Sequence, residues 1–315
     1  MLDNIALPVH RLGPAPPVDD DPVTGDDLHL ALYSCYELHY RGFAGVDPAW
    51  EWEPSLLEFR ARLESAFEAA MRAETPSVAA VDVEAQLNLL VTAGGPSLSA
   101  YMEQRGTYAE LVEFLMHRSA YQLKEADPHT WGIPRLTGGP KSAMVEIQAD
   151  EYGGGQPGQS HAELFAATMA GLGLDPTYGA YLDSLPGTTL ATVNLISLFG
   201  LHRRHRGALV GHLAAFEMTS TGPMGRYSAA LGRLGVGAGA RRFYDIHVEA
   251  DVRHAQIAAR AMAGGLAVQE PTLASDILFG AQALMAVEGR FAGHLLESWA
   301  TGRTSLLEPV ACRVS

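Results

Sequence analysis

His247, Asp251 and His254 stand four and three residues apart within FYDIHVEADVRHAQIAAR, residues 243–260. On an α-helix these three positions fall inside a ~60° sector of one face. Two imidazoles and a carboxylate on one face suit a first-row transition metal, and that mixture favours iron or manganese. A solvated helix face with two incidental histidines fits the same stretch equally well. Glu249 falls roughly opposite on the helical wheel and reads as a solvated or outlying acid. One helix cannot enclose two ions, so further donors must come from other segments. The candidates are Glu125 in YQLKEADPHTW, Glu151 in EIQADEYGGG, His161 opening SHAELFAATMAGLGL, and Glu217 in GALVGHLAAFEMTS. Each also has a plainer use. Glu125 could pair with Lys124, Glu151 could end a helix at the surface, His161 could cap one, and Glu217 could bind Arg203 or Arg206.

The elements that would carry these residues are helical. TYAELVEFLMHRSAYQLKEAD begins with Thr107 as N-cap and Glu110 three residues on, and stops before Pro128. GPKSAMVEIQADEYGGG breaks at three glycines, and a new helix starts from Ser160. Residues 188–220 read as one long helix or two joined near Gly200, and LASDILFGAQALMAVEGRFAGHLLESWA closes the set. Upstream, DDLHLALYSCYELHYRGF, SLLEFRARLESAFEAAMRAE and two shorter pieces at 82–93 and 96–105 are helical in pattern. No run with strand periodicity stands out, so the expected fold class is all-α. The expected organisation is an extended or disordered arm at 1–26, accessory helices at 27–106, a core at 107–297 and a tail at 298–315.

Composition narrows the partners. The chain has 315 residues, 47% hydrophobic and 18% charged, as an ordinary globular protein does. A formal net charge of −14 argues against nucleic acid and anionic membranes as partners. Two cysteines, Cys35 and Cys312, form no CxxC, which fits a reducing cytoplasm and no thiolate site. The N-terminal segment shows no signal-peptide core, and no apolar run is long enough to span a membrane. Arg203, Arg204 and Arg206 in LHRRHRG could clamp a substrate carboxylate or simply form a solvated basic face. His117 and His129 flank Glu125 and are candidate outer partners of it.

Ferritin-like di-iron bundles place Glu-x-x-His on two helices, and no such motif occurs here. YQLKEADPHTW, EIQADEYGGG and FYDIHVEADVRH instead resemble the heme-oxygenase-like di-iron oxidases, the iron-containing redox enzymes, over roughly residues 107–297. The resemblance implies a heme-oxygenase-like helical bundle. Its ligands would be Glu125, then Glu151 and His161, then His247, Asp251 and His254. Members that oxygenate nitrogen have a further carboxylate, and Glu217 matches its position.

That likeness implies two Fe(II)/Fe(III) ions, O2 as co-substrate, a peroxo-di-ferric species and an external electron donor. The implied reaction is N-oxygenation of an amine of a small metabolite or amino acid in specialised metabolism. The alternative on the same scaffold is oxidative C–C cleavage, decarboxylation or desaturation of an amino or fatty acid. The group also suggests a homodimer.

Overall fold

The computed structural model describes residues 5–13, 19–76, 82–92, 94–95 and 97–308, without the side chains of 249–251. It is built from helices, and no strand occurs among the described residues. The helices are α1 (Asp26–Glu37), α2 (Pro54–Glu74), α3 (Val83–Thr92), α4 (Leu98–Gln104), α5 (Tyr108–Gln122), α6 (Gly138–Glu151), α7 (His161–Gly171), α8 (Gly187–Leu201), α9 (Arg206–Arg233), α10 (Ala238–Gln256) and α11 (Ala274–Ala300). Among the described residues no helix is long and apolar enough to cross a membrane.

Local chemistry sets the helix ends around the site. Thr107 and Glu110 form a reciprocal capping box at the start of α5, and Ser160 and Glu163 form another at the start of α7. Between α6 and α7 the chain turns through Gly153, Gly154 and Gly155, all with positive φ. At Gly153 a Cβ would lie 2.5 Å from the carbonyl carbon of Gln159, so only glycine lets the loop fold back to Ser160 there. The segment expected as one helix or two around Gly200 is two, α8 and α9, joined through Arg203–His205. After α10 the chain continues as a wider π-helical segment, Ile257–Gly264, a form that often sits beside functional groups.

The apolar faces make two main cores. The larger runs through Leu32, Phe67, Leu115, Phe165, Phe199 and Phe291. The second gathers Met144, Ile147, Leu213, Met262 and Ile277. Phe216 packs against both, and Glu217 follows it on α9. The polar site therefore lies where two apolar cores meet. α9 and α11 approach backbone to backbone. A Cβ at Gly211 would fall 1.7 Å from the Ile277 carbonyl oxygen, and one at Gly280 would fall 1.9 Å from that of Ala208.

The N-terminal region joins the larger core rather than standing apart, since Val23, Leu28 and Leu32 belong to it. Within the segment 1–26, Ile5 is fully buried in a small cluster with Cys35, Trp50 and Leu56. The Trp50 indole N–H donates to the Leu7 carbonyl at 3.1 Å.

Candidate metal centre

Six of the seven residues singled out as ligands converge. Glu125, Glu151, His161 and His247 each offer an atom within 4.8 Å of the others, and Glu151, Glu217 and His254 do the same. Glu151 belongs to both groups, and all six residues are buried. The side chain of the seventh, Asp251, lies outside the described residues, as does that of Glu249.

Each donor is aimed by a different local device. Glu125 sits in the turn after α5, where Ala126 takes φ 75°. This turn is held from three sides. Arg41 donates to the Leu123 carbonyl at 2.9 Å, and Gln148 donates to the Ala126 carbonyl at 3.1 Å. Lys124 pairs with Glu37 of α1 at 3.0 Å, lying over the rings of Tyr33 and Tyr40. Lys124 therefore serves α1 and not Glu125, which frees the Glu125 carboxylate for the site. Its Oε2 is buried and has no hydrogen-bond partner among the described residues.

The histidines present opposite nitrogens. His247 Nδ1 donates to the Phe243 carbonyl one turn back at 2.7 Å, which leaves Nε2 facing Glu125 Oε1 at 3.7 Å. His254 is reversed. Its Nε2 donates to Asp150 Oδ2 at 3.0 Å, and its Nδ1 faces Glu217 at 3.4 Å and Glu151 at 3.7 Å. Hydrogen bonds of this kind fix the tautomer of a metal-binding imidazole and raise its basicity. His161 Nδ1 lies 2.6 Å from Glu151 Oε2, and its ring stacks obliquely on His247 with centroids 4.1 Å apart.

The electrostatics fit a cation. Burial pushes the carboxyls of Glu125 and Glu217 up, against the pull of His247 on the first and His254 on the second. Burial also pushes the Tyr121 hydroxyl up, and the carboxylates of Glu125, Glu151 and Glu217 push it further. Burial alone would depress His254. Its hydrogen bonds to Glu217 and Asp150 outweigh that and raise it to about 9. Three glutamates in an apolar interior are costly until something positive neutralises them. A divalent ion in each group would do so and would give Glu125 Oε2 a partner. The mixed carboxylate and imidazole donor set suits iron. A cavity of about 10 Å³, space for about one water-sized atom, lies among Tyr121, Glu125, Glu151, Glu217 and His247.

A family model described as an iron-containing redox enzyme matches residues 112–289, more than half of the sequence. The chain belongs to this family. The family's iron and the buried Glu/His cluster agree, and the protein is accordingly an oxidoreductase of the iron-containing type. Solved structures similar to this family member confirm the heme-oxygenase-like fold. A CADD-like protein of unknown function from Nostoc punctiforme is 15% identical in both of its structures, with TM-scores of 0.55 and 0.54. The matched regions cover 68% and 73% of this chain and 96% and 97% of that one. A domain of unknown function with a heme oxygenase-like fold from Shewanella denitrificans is 13% identical at a TM-score of 0.53, covering 73% of this chain and 95% of that one. No curated protein matches the sequence.

Other residues considered in the sequence have different uses. His117 bonds to Thr189 at 2.7 Å and Ser305 at 3.0 Å, so it braces the C-terminal segment and does not support Glu125. His129 does line the small cavity, and its Nε2 meets His212 Nδ1 at 3.1 Å. Within the arginine run, Arg204 pairs with Glu68 and Arg206 with Glu270, so these two guanidiniums are already engaged by carboxylates of the chain. Asp150 was not among the candidates. Adjacent to Glu151 and half exposed, it carries no signal in the sequence beyond its acid type.

Two predictions follow from His254 and its supports. Asp150→Ala should weaken metal binding roughly 10- to 100-fold while leaving far-UV helicity unchanged, as a titration with Co(II) would measure. Full affinity in that variant would show that Asp150 does not orient the imidazole. The second concerns pH. The raised folded value of His254 stabilises the metal-free protein below its ordinary value of 6.5, and this contribution is lost as pH rises through about 9. A metal ion competes with that proton, so Co(II) affinity should climb with pH up to about 9, with proton release seen by an indicator dye. Affinity that is flat between neutral pH and 9 would remove His254 from the ligand set.

Proposed function

We propose that this chain is a non-heme di-iron oxygenase that uses O2 to N-oxygenate an amine. The carrying observation is the pair of carboxylate–histidine groups that share Glu151, with Glu217 supplying the additional carboxylate of the second group. Glu125, His161 and His247 would hold one ion, Glu217 and His254 the other, and Glu151 would bridge them. Asp251 is proposed as a seventh ligand on its spacing from His247 and His254.

The irons would supply the reductive activation of O2, chemistry no side chain can perform. The chain's own residues do the rest. Phe243 and Asp150 hold the two imidazoles in opposite tautomers, which keeps Nε2 of His247 and Nδ1 of His254 available. The carboxylates balance the ionic charge inside an apolar bundle. Tyr121 and Phe216 pack edge to face, with centroids 5.5 Å apart, over the open side of the donors and limit water there. Electrons come from an external donor, and a cytoplasmic protein, active as a homodimer on a small-molecule amine, is the setting we propose.

Anaerobic loading with Fe(II), followed by rapid mixing with O2 and panels of amines and fatty acids, tests this reading. The expected result is a visible absorption band whose decay quickens with an amine and yields hydroxylamine, nitroso or nitro product. Alkene, or carbon-chain cleavage from an amino or fatty acid, would favour the alternative reaction on the same residues. A heme Soret band with no Fe(II) uptake would overturn both.

A further inference from the structure

Beside the small cavity lies a second space of about 680 Å³, walled mainly by α5, α9 and α11, with Tyr244 of α10 and residues of α2, α3 and α4 completing it. Tyr121, Phe216 and Ser220 line both, so the two spaces meet at these residues. A volume of this order suits a drug-sized molecule, about 300–1,000 Å³ being usual for such sites. It is far more than a free amino acid needs. The sequence makes this room on α11. Ala286, Gly289 and Ala292 recur every third residue along the wall, and a Cβ built on Gly289 meets nothing within 4 Å.

The wall is mainly apolar, with Leu98, Phe114, Met224, Leu284 and Met285 among its residues. Its polar groups are selective. The Arg118 guanidinium is held by both oxygens of Glu288, at 2.9 and 2.7 Å, whereas Arg226, half-exposed in the same wall, has Glu103 only at 4.0 Å and could meet an anionic group. Gln122 Oε1 and the Tyr244 hydroxyl are buried in the wall and have no hydrogen-bond partner among the described residues. An amide oxygen can only accept, so it calls for a hydrogen-bond donor on the ligand, such as an amine N–H.

We propose that this chamber binds a large amphipathic amine, its apolar body against α11 and its nitrogen at the junction formed by Tyr121 and Ser220. The proposal rests on the N-oxygenase reading for the choice of amine as substrate, and it replaces the small metabolite or amino acid expected from the sequence. Titration calorimetry with the full-length protein, as isolated, tests it with dodecylamine, butylamine and dodecanoate as probes. Dodecylamine should bind saturably, one per chain and at least about tenfold tighter than butylamine, since eight extra methylenes enter an apolar wall, and tighter than dodecanoate, which has no N–H for Gln122. Gly289→Phe adds its Cβ where nothing lies within 4 Å and should fill part of the chamber, weakening dodecylamine at least about tenfold at an unchanged melting temperature. Gly289→Leu serves the same purpose with a smaller group should the phenylalanine disturb folding.

Dodecanoate binding tighter than dodecylamine, no gain over butylamine, or no effect of either Gly289 variant would each overturn the proposal. Saturable binding of dodecylamine without its oxidation by the iron-loaded protein would leave the chamber standing and sink the N-oxygenase reading. Oxidation of butylamine alongside failed dodecylamine binding would do the reverse.

Discussion

Glu151→Ala should empty both metal positions at once. Glu151 is the one residue common to the two groups of buried donors, with Oε2 beside His161 and Oε1 towards His254. Removing it leaves Glu125, His161 and His247 on one side and only Glu217 and His254 on the other. Loss of an outer partner alone costs about 10- to 100-fold in affinity, so loss of a shared donor should cost at least roughly 100-fold at each position. Iron bound per chain should fall from about two towards zero, and O2 consumption should fall with it. Far-UV circular dichroism should hardly change, because Glu151 is the last residue of α6. By contrast, His254→Ala should cost only one of the two irons. Equal losses in the two variants would mean that Glu151 is not shared.

Gly280→Ala should be among the most damaging single methyls in the fold. The added carbon would meet the Ala208 carbonyl oxygen at 1.9 Å, far inside any real contact, and both partners are backbone. Gly211 meets Ile277 in the same way from the other helix, so α9 and α11 cannot shift to relieve one contact without straining the second. Overpacking with no side chain able to move costs about 3 kcal/mol or more. For a chain of this size that lowers the melting temperature by roughly 5–10 °C. Because α9 carries Glu217, metal affinity at the second position should weaken as well. A melting temperature within about a degree of the parent would contradict the close approach.

The residues that announced themselves in the sequence did so through local geometry. His247 and His254 share a face because their spacing follows the helical period. Thr107 and Ser160 mark helix starts because each capping box is complete within four residues. The all-helical class was legible for the same reason, since helical patterning is local. The convergence of Glu125, Glu151, His161 and Glu217 was reached only through the family resemblance, because bringing four segments together is a property of packing.

Long-range partners were out of reach. Nothing near Lys124 in the sequence points to Glu37, 87 residues away, so the support that α1 gives to the Glu125 turn became visible only in the structure. Asp150 was hidden by its neighbour, which looks identical in type. For the arginine run the sequence left a clamp and a solvated basic face both open. Arg204 and Arg206 cluster in the sequence, but their carboxylate partners come from α2 and from Glu270. The chamber was equally unreadable, because its existence depends on which face Ala286, Gly289 and Ala292 turn inward.

The central claim is that one glutamate joins two metal positions inside this bundle. Anomalous diffraction at the iron edge from crystals of the full chain, grown anaerobically with Fe(II), measures it directly. Two peaks are predicted, one among Glu125, Glu151, His161 and His247 and the other among Glu151, Glu217 and His254, with Glu151 contacting both. A single peak, or iron bound away from Glu151, would contradict the account.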